Sequence, residues 1–458
     1  MADRRFLIRA LVSALLSALV AAGAAADETM SLGEALTKAL EYGDDARIAR
    51  LETDRADADF EARRAGYLPQ VGLSSEAGWS NRMDETFIAA NPDGGSSEFS
   101  LATIAPDRAW LQLYLSQTLL DLRQWREIER EQLASEVAQV AETSERDNIA
   151  YHVLNRYARL IQLERKAAVA DARLQDSEWL AEQAKHLHAA GRALEVDKNL
   201  VGLHRTDAEL ATRGWAAEMD TARAELWLAV GEDEPLRIPV NPETLPRVDP
   251  KDASYGAVEA VPASPELRIL DLRYRMQEAS VAAAKAGRLP TMKFVSGYSN
   301  YGPKRYDAYT DEVWVGVDIN VPIFDGFRST SEIRGAEREA QIARLRYQKM
   351  LKAKRARVRE LIRRLETGES RLDLARQRAD SASEHVKLAD LNLQAERGAL
   401  TASMDARERH TRRALEAIDA EFAQLESWAQ LQRELGRLTF SILGPLASGP
   451  GSATANTP

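Results

Sequence analysis

Ala65-Gly66-Tyr67-Leu68-Pro69-Gln70-Val71-Gly72-Leu73 is answered later in the chain by Ala286-Gly287-Arg288-Leu289-Pro290-Thr291-Met292-Lys293-Phe294. Both stretches follow a charged, alanine-rich segment, and both carry a glycine three residues ahead of a proline. That pairing reads as a helix stop. Glycine suits the left-handed residue that closes a helix, and proline cannot continue one. Two more landmarks recur in the same order. Trp110 and Asp121 stand eleven residues apart, as do Trp314 and Asp325, and Gly191-Arg192-Ala193-Leu194 is echoed by Gly398-Ala399-Leu400-Thr401. Ordered landmarks at similar spacing mark an internal duplication.

Each copy reads helix, strand, loop, strand, very long helix, turn, long helix. Val71, Leu73, Ala77 and Trp79 alternate with Gly72, Ser74, Glu76, Gly78 and Ser80. In the return strand Leu111, Leu113 and Leu115 alternate with Gln112, Tyr114 and Ser116. The second copy repeats the pattern with Phe294 and Tyr298, then Val313, Val315, Val317, Ile319 and Val321. Period two with one apolar face predicts strands that meet different solvents on their two sides. Residues 81–109 and 301–312 are then the loops joining each pair. Trp110 and Trp314, at strand starts, suit an interfacial aromatic belt or buried packing. From Asp121 to Ala190 no proline occurs, enough chain for roughly 105 Å of helix. Ile149, Val153, Tyr157 and Leu160 form a narrow stripe there, the pattern of a coiled-coil seam.

These landmarks divide the 458 residues. Residues 1–26 read as a secretory signal peptide: Arg4, Arg5 and Arg9, an apolar run from Leu11 to Val20, and Ala24-Ala25-Ala26 before Asp27. The first copy occupies 27–231 and the second 264–446. Between them, 232–263 carries prolines 235, 239, 242, 246, 250 and 262, a spacing that excludes a helix interior and predicts a linker. The tail 447–458 has a disordered composition. With no cysteine, the chain has no disulfide, thiolate metal site or lipid-anchoring thiol. The net charge of −10 argues against nucleic acid. No catalytic or cofactor chemistry assembles. The six histidines are scattered, and His186 and His188 are too close in sequence to share a helix face as metal ligands. Lys352, Lys354, Arg355, Arg357 and Arg359, followed by Glu360, Glu366 and Glu369, read as a solvated helix face. The chain is not expected to be an enzyme.

Four strands cannot close a barrel, and an open edge in lipid leaves backbone groups unpaired at several kcal/mol each. The chain must therefore oligomerise, and three copies give an even twelve strands. The apolar strand face would meet lipid and the Gly/Ser/Gln face a watery lumen.

Ser31-Leu32-Gly33-Glu34-Ala35-Leu36, Gly66-Tyr67-Leu68-Pro69-Gln70, Leu115-Ser116-Gln117-Thr118-Leu119-Leu120-Asp121 and Val321-Pro322-Ile323-Phe324-Asp325-Gly326-Phe327 resemble the TolC-type outer membrane efflux protein family. The resemblance spans roughly residues 30 to 443. It implies a mixed α and β fold. Each chain of a homotrimer gives four strands to a twelve-stranded transmembrane β-barrel, and a long α-helical barrel extends into the periplasm. It also implies an outer-membrane location in a Gram-negative bacterium, contact with outer-membrane lipid, a periplasmic adaptor, and through it an inner-membrane transporter. The turns holding Gly191, Leu194, Gly398 and Leu400 resemble the periplasmic tips that adaptors grip. Some relatives place aspartates just beyond the tip, which makes Asp197, Asp405 and Glu408 candidates for a gate or selectivity ring. Ordinary solvated helix charge is the competing reading. The expected function is the exit duct of a tripartite efflux pump. The alternatives are the exit duct of a type I protein secretion system and, in another class, a soluble periplasmic coiled-coil scaffold.

Overall fold

The computed structural model describes residues 29–79, 86–90, 96–100, 107–231, 239–303, 310–395 and 399–447. The signal-peptide reading, Gly398 and the tail beyond Ala447 lie outside the described residues. In chain order the elements are α1 (Leu32–Tyr42), α2 (Asp44–Arg64), β1 (Gln70–Trp79), β2 (Thr86–Ala90), β3 (Ser96–Ser100), β4 (Asp107–Leu120), α3 (Leu122–Ala189) and α4 (Glu195–Val230). There follow α5 (Pro250–Ser254), α6 (Ala257–Ala260), α7 (Pro265–Ala286), β5 (Thr291–Pro303), β6 (Thr310–Asn320), α8 (Arg328–Gln394), α9 (Leu400–Leu435) and α10 (Leu438–Ala447). The same helix–strand–strand–helix–helix order runs twice.

The chain forms two compact units, one from residues 1–51, 140–268 and 348–458, the other from 52–139 and 269–347. The second unit holds a four-stranded antiparallel sheet in the order β1-β4-β5-β6. The return strand of the first copy thus pairs with the first strand of the second, in register from Arg108↔Pro303 to Thr118↔Lys293. Strands β2 and β3 pair separately as a hairpin. That hairpin lies within 81–109, where the sequence suggested only a loop. The rest of the two loops, apart from the ends of β4, β5 and β6, falls outside the described residues.

Side chains at the helix starts cap exposed backbone groups. Ser31 Oγ accepts from the Glu34 N–H at 3.2 Å while Glu34 Oε2 accepts from the Ser31 N–H at 2.8 Å, a complete capping box for α1. Asp121 Oδ1 accepts from the Gln124 N–H at 3.0 Å to start α3. Asp325 Oδ2 does the same for α8, accepting from the Ser329 N–H at 2.9 Å. Gly66 and Gly287 are not left-handed helix closers, contrary to the sequence reading. Among the described residues, positive φ at glycine occurs at Gly191, Gly231, Gly256, Gly326 and Gly436. Gly66 sits inside a 3-10 turn, Ala65–Tyr67, and the Gly287 N–H still bonds to Ala283 O at 3.0 Å. Proline and the first strand residues end these helices, without a left-handed cap.

In the first unit, the stripe Ile149, Val153, Tyr157 and Leu160 is buried. Leu154, Ile161 and Leu163 are buried too, so the apolar face of α3 is wider than a narrow seam. Leu32 and Leu36, Leu226 and Trp227, Leu361 and Leu365, and Leu431 and Leu435 add buried groups from α1, α4, α8 and α9. The proline-rich stretch between the copies is more than a linker. Pro242 and Pro250 occupy first helical positions, where the missing N–H would have no partner anyway. Val240, Ala257 and Val261 are buried, and Val240 forms a parallel bridge with Met30.

Candidate functional site

Two regions stand out: the faces of the sheet, and the turn between α3 and α4 with the start of α9. On one face of the sheet, Val71, Leu73, Leu113, Val313, Val315, Val317 and Ile319 are all exposed. Register places them together, with Leu73 opposite Leu113 and Val313 opposite Tyr298. An exposed, contiguous aliphatic surface on a sheet needs an apolar partner.

The other face is polar with large rings set over glycines. Register puts Gly72 opposite Tyr114 and Gly297 opposite Trp314. A Cβ on Gly297 would lie 2.6 Å from the Trp314 ring, so glycine leaves the space the indole occupies. Trp110 lies on this face as well, and its Nε1 donates to Glu76 Oε2 at 3.3 Å. Neither tryptophan shares the aliphatic face, so the lipid-belt reading of Trp110 and Trp314 is overturned. A strand's two faces differ by one residue in register, and only pairing with neighbours shows which one a ring takes.

The α3–α4 turn is closed by Gly191 at φ 71°, with the Arg192 N–H bonding to Leu187 O at 2.8 Å. Glycine takes this left-handed angle without the clash a Cβ would bring. Leu194 is the N-cap of α4 and 70 % exposed, next to an exposed Val196. Asp197 half-closes a capping box, its Oδ2 accepting from the Leu194 N–H at 3.3 Å. His188 ties the turn from the α3 side, with Nδ1 3.1 Å from Ala193 O and Nε2 3.0 Å from Glu195 Oε2. The hydrogen bond from Lys198 holds the Glu195 carboxyl below the ordinary glutamate range, aided by the Lys198 and His188 charges against a smaller opposing effect of burial.

Leu400 departs from its expected role as a docking contact. It is 6 % exposed and packs in a core with Leu180, Ala184, Val201, Leu393 and Met404. A buried side chain cannot touch a partner directly. The acidic candidates also separate. Asp197 caps a helix. Glu408 is half-buried and paired with Arg173 at 3.0 Å. Asp405 is exposed, its backbone carbonyl accepts from Arg409 Nε at 3.2 Å, and among the described residues its carboxylate has no partner. Sequence reasoning missed Arg407. It pairs with Asp390 at 2.7 Å and with Asp176, and stacks 4.8 Å from the Trp179 ring centroid. These partners come from distant parts of α3 and α8, so no local spacing signals them.

Residues 257–437 match the outer membrane efflux protein family. The chain is 23 % identical over 358 residues to the outer membrane protein OprJ of Pseudomonas aeruginosa, covering 77 % of this chain and 72 % of OprJ. Its fold is similar to that of CusC, solved to follow the conformational changes accompanying folding and transmembrane channel formation. The TM-score is 0.74 at 16 % identity, over 89 % of this chain and 92 % of CusC. The outer membrane protein VceC of Vibrio cholerae aligns with a TM-score of 0.73 at 17 % identity, over 88 % of this chain and 96 % of VceC. These likenesses show the fold of outer-membrane channel chains.

Proposed function

From its place in the TolC-type outer membrane efflux protein family, we propose that the chain is the protomer of a homotrimeric outer-membrane channel, the passive exit duct of a tripartite efflux pump. One observation carries the reading: a four-stranded antiparallel sheet with an exposed aliphatic face, whose edge strands β1 and β6 have no outer partner among the described residues. A lone sheet of this kind in hydrocarbon would strand backbone donors and acceptors at several kcal/mol each. Three chains close the ladder at twelve strands. The aliphatic face then meets outer-membrane lipid, and the face with Ser74, Gln112 and Asp318 lines the water-filled lumen. Residues 27–231 and 264–446 are the two copies that build each protomer.

The turn with exposed Leu194 and Val196 offers a periplasmic adaptor its contact, and the adaptor joins the channel to an inner-membrane transporter. The turn holding Gly398 is its counterpart in the second copy. Asp405 is the acidic group left free to face a constricted mouth. The role is conduction rather than catalysis. Mass measurement of the detergent-purified protein, followed by planar-bilayer recording, tests the reading. A trimer with steady conductance is expected, and a stable, non-conducting monomer rejects it.

A further inference from the structure

The aliphatic surface of the sheet continues past its ladder. Along β6 the exposed positions Val315, Val317 and Ile319 lead on beyond the strand to Val321 and Ile323, the last 95 % exposed. The chain then passes through Gly326 and Phe327 at φ 68° and 64°. A bulky residue adopts this left-handed conformation only where its surroundings compensate. The result is a knuckle in which Phe324 and Phe327 meet edge to face, 5.6 Å between centroids, both rings standing open.

Beside the knuckle lies a cleft of about 300 Å³ whose lining includes Arg288, Phe324, Phe327 and Thr330. Arg288 is exposed and donates Nη2 to Thr330 Oγ1 at 2.6 Å. No carboxylate among the described residues pairs with it. Asp325 also lines the cleft, but its carboxylate is held by the Ser329 N–H and hydroxyl. An unpaired guanidinium next to open aromatic and aliphatic groups complements a phospholipid: anionic phosphate at one end, acyl chain at the other.

We propose that Arg288 and the Ile323–Phe327 knuckle form a seat for one anionic phospholipid, its phosphate on Arg288 and its acyl chain along Ile323, Phe324 and Phe327. The proposal rests on the reading that the aliphatic sheet face meets lipid. Continuity of that face into the knuckle is what favours lipid over a second copy of this chain as the occupant. The seat also accounts for the left-handed Phe327, whose exposed ring meets Phe324 edge to face.

The absence of native cysteine makes single-site labelling clean. Nitroxide labels on Ile323→Cys and Val315→Cys are placed in vesicles of phosphatidylethanolamine and phosphatidylglycerol. Collision with oxygen and with a water-soluble nickel complex is then measured. Both labels should favour oxygen, with position 323 the shallower. If position 315 meets lipid while 323 meets water, or neither reagent, the seat is rejected and the channel reading stands. If position 315 also meets water, both fail. In a separate titration read by native mass spectrometry, Arg288→Gln should weaken phosphatidylglycerol retention by about tenfold. It should also abolish the preference over phosphatidylcholine. Unchanged retention removes Arg288 from the seat and overturns the proposal.

Discussion

The phenol oxygen of Tyr157 lies 2.8 Å from the backbone carbonyl of Met30, 127 residues away. The same oxygen is 2.9 Å from Asn241 O and accepts from the Asn241 N–H at 2.9 Å. One buried hydroxyl on α3 thus joins the start of the first copy to the stretch between copies. Tyr157→Phe removes these bonds, but Met30 O keeps the Asn241 N–H at 3.1 Å and Asn241 O keeps the Thr244 hydroxyl at 2.7 Å. The variant should therefore destabilise the unit by about 0.5–1.5 kcal/mol, with amide exchange rising first near Met30 and Asn241. Burial, the largest cause, raises the Tyr157 pKa in the folded chain, against the hydrogen bonds from Thr244 and Asn241. Its contribution is therefore complete below the usual tyrosine value and lost as pH climbs through the folded one. The stability gap between wild type and variant should narrow in alkali.

Gly297 and Gly316 sit in adjacent strands but make opposite predictions. A Cβ at Gly297 would lie 2.6 Å from Trp314 and 2.9 Å from Leu113 O, whereas one at Gly316 meets only Val295 Cγ2 at 3.9 Å. Gly297→Val should cost about 1–3 kcal/mol by overpacking and reduce the fraction running as trimer on unheated gels. Gly316→Ala should leave that fraction unchanged.

The duplication, the strands and the long helices were legible because each leaves a periodic or compositional trace. Alternation exposed β1, β4 and β6, and proline-free runs exposed α3 and α8. Which face a given ring takes was not legible for Trp110 and Trp314, because that depends on register with Glu76 and Gly297. The two tips were misaligned for a related reason. Leu194 is a cap lying outside its helix, whereas Leu400 is the first residue inside α9 after the cap Ala399. One residue of helix phase turns an exposed leucine into a core leucine. Asp197 is the third residue past its cap Leu194, whereas Asp405 is the sixth past Ala399, close to a turn further into its helix. Long-range partners such as Arg407 with Asp390 leave no trace in sequence spacing.

Asp405 and Glu408 should separate in conduction. Asp405→Asn removes an exposed charge that recurs three times in the proposed trimer, so the cation-to-anion permeability ratio should fall about twofold. Folding should be unaffected. Glu408→Gln leaves Arg173 without its partner, and the pair is only part-buried, at 23 % and 35 % exposure. That loss should cost no more than about 1 kcal/mol and appear as faster amide exchange around Arg173. Reversal potentials in a salt gradient measure the first effect. An unchanged ratio in Asp405→Asn would mean that this carboxylate is an ordinary solvated helix charge.

Leu194 and Leu400 give the sharpest test of the tip. Leu194 caps α4 in the open, so Leu194→Asp should alter folding by no more than about 0.5 kcal/mol. If the turn is the adaptor contact, the variant should reach the outer membrane at normal levels as a trimer, yet fail to cross-link to the adaptor and fail to export. Leu400→Asp instead buries a carboxylate among Leu180, Val201 and Met404. Loss of the leucine alone should cost about 2–5 kcal/mol, and the unpaired charge adds to that. Low protein levels should therefore precede any docking defect, while Leu400→Met should behave as wild type. The two aspartate variants thus fail for different reasons: one in an intact channel that no longer docks, the other in a tip that no longer packs. Export that survives Leu194→Asp would place the adaptor contact away from this turn.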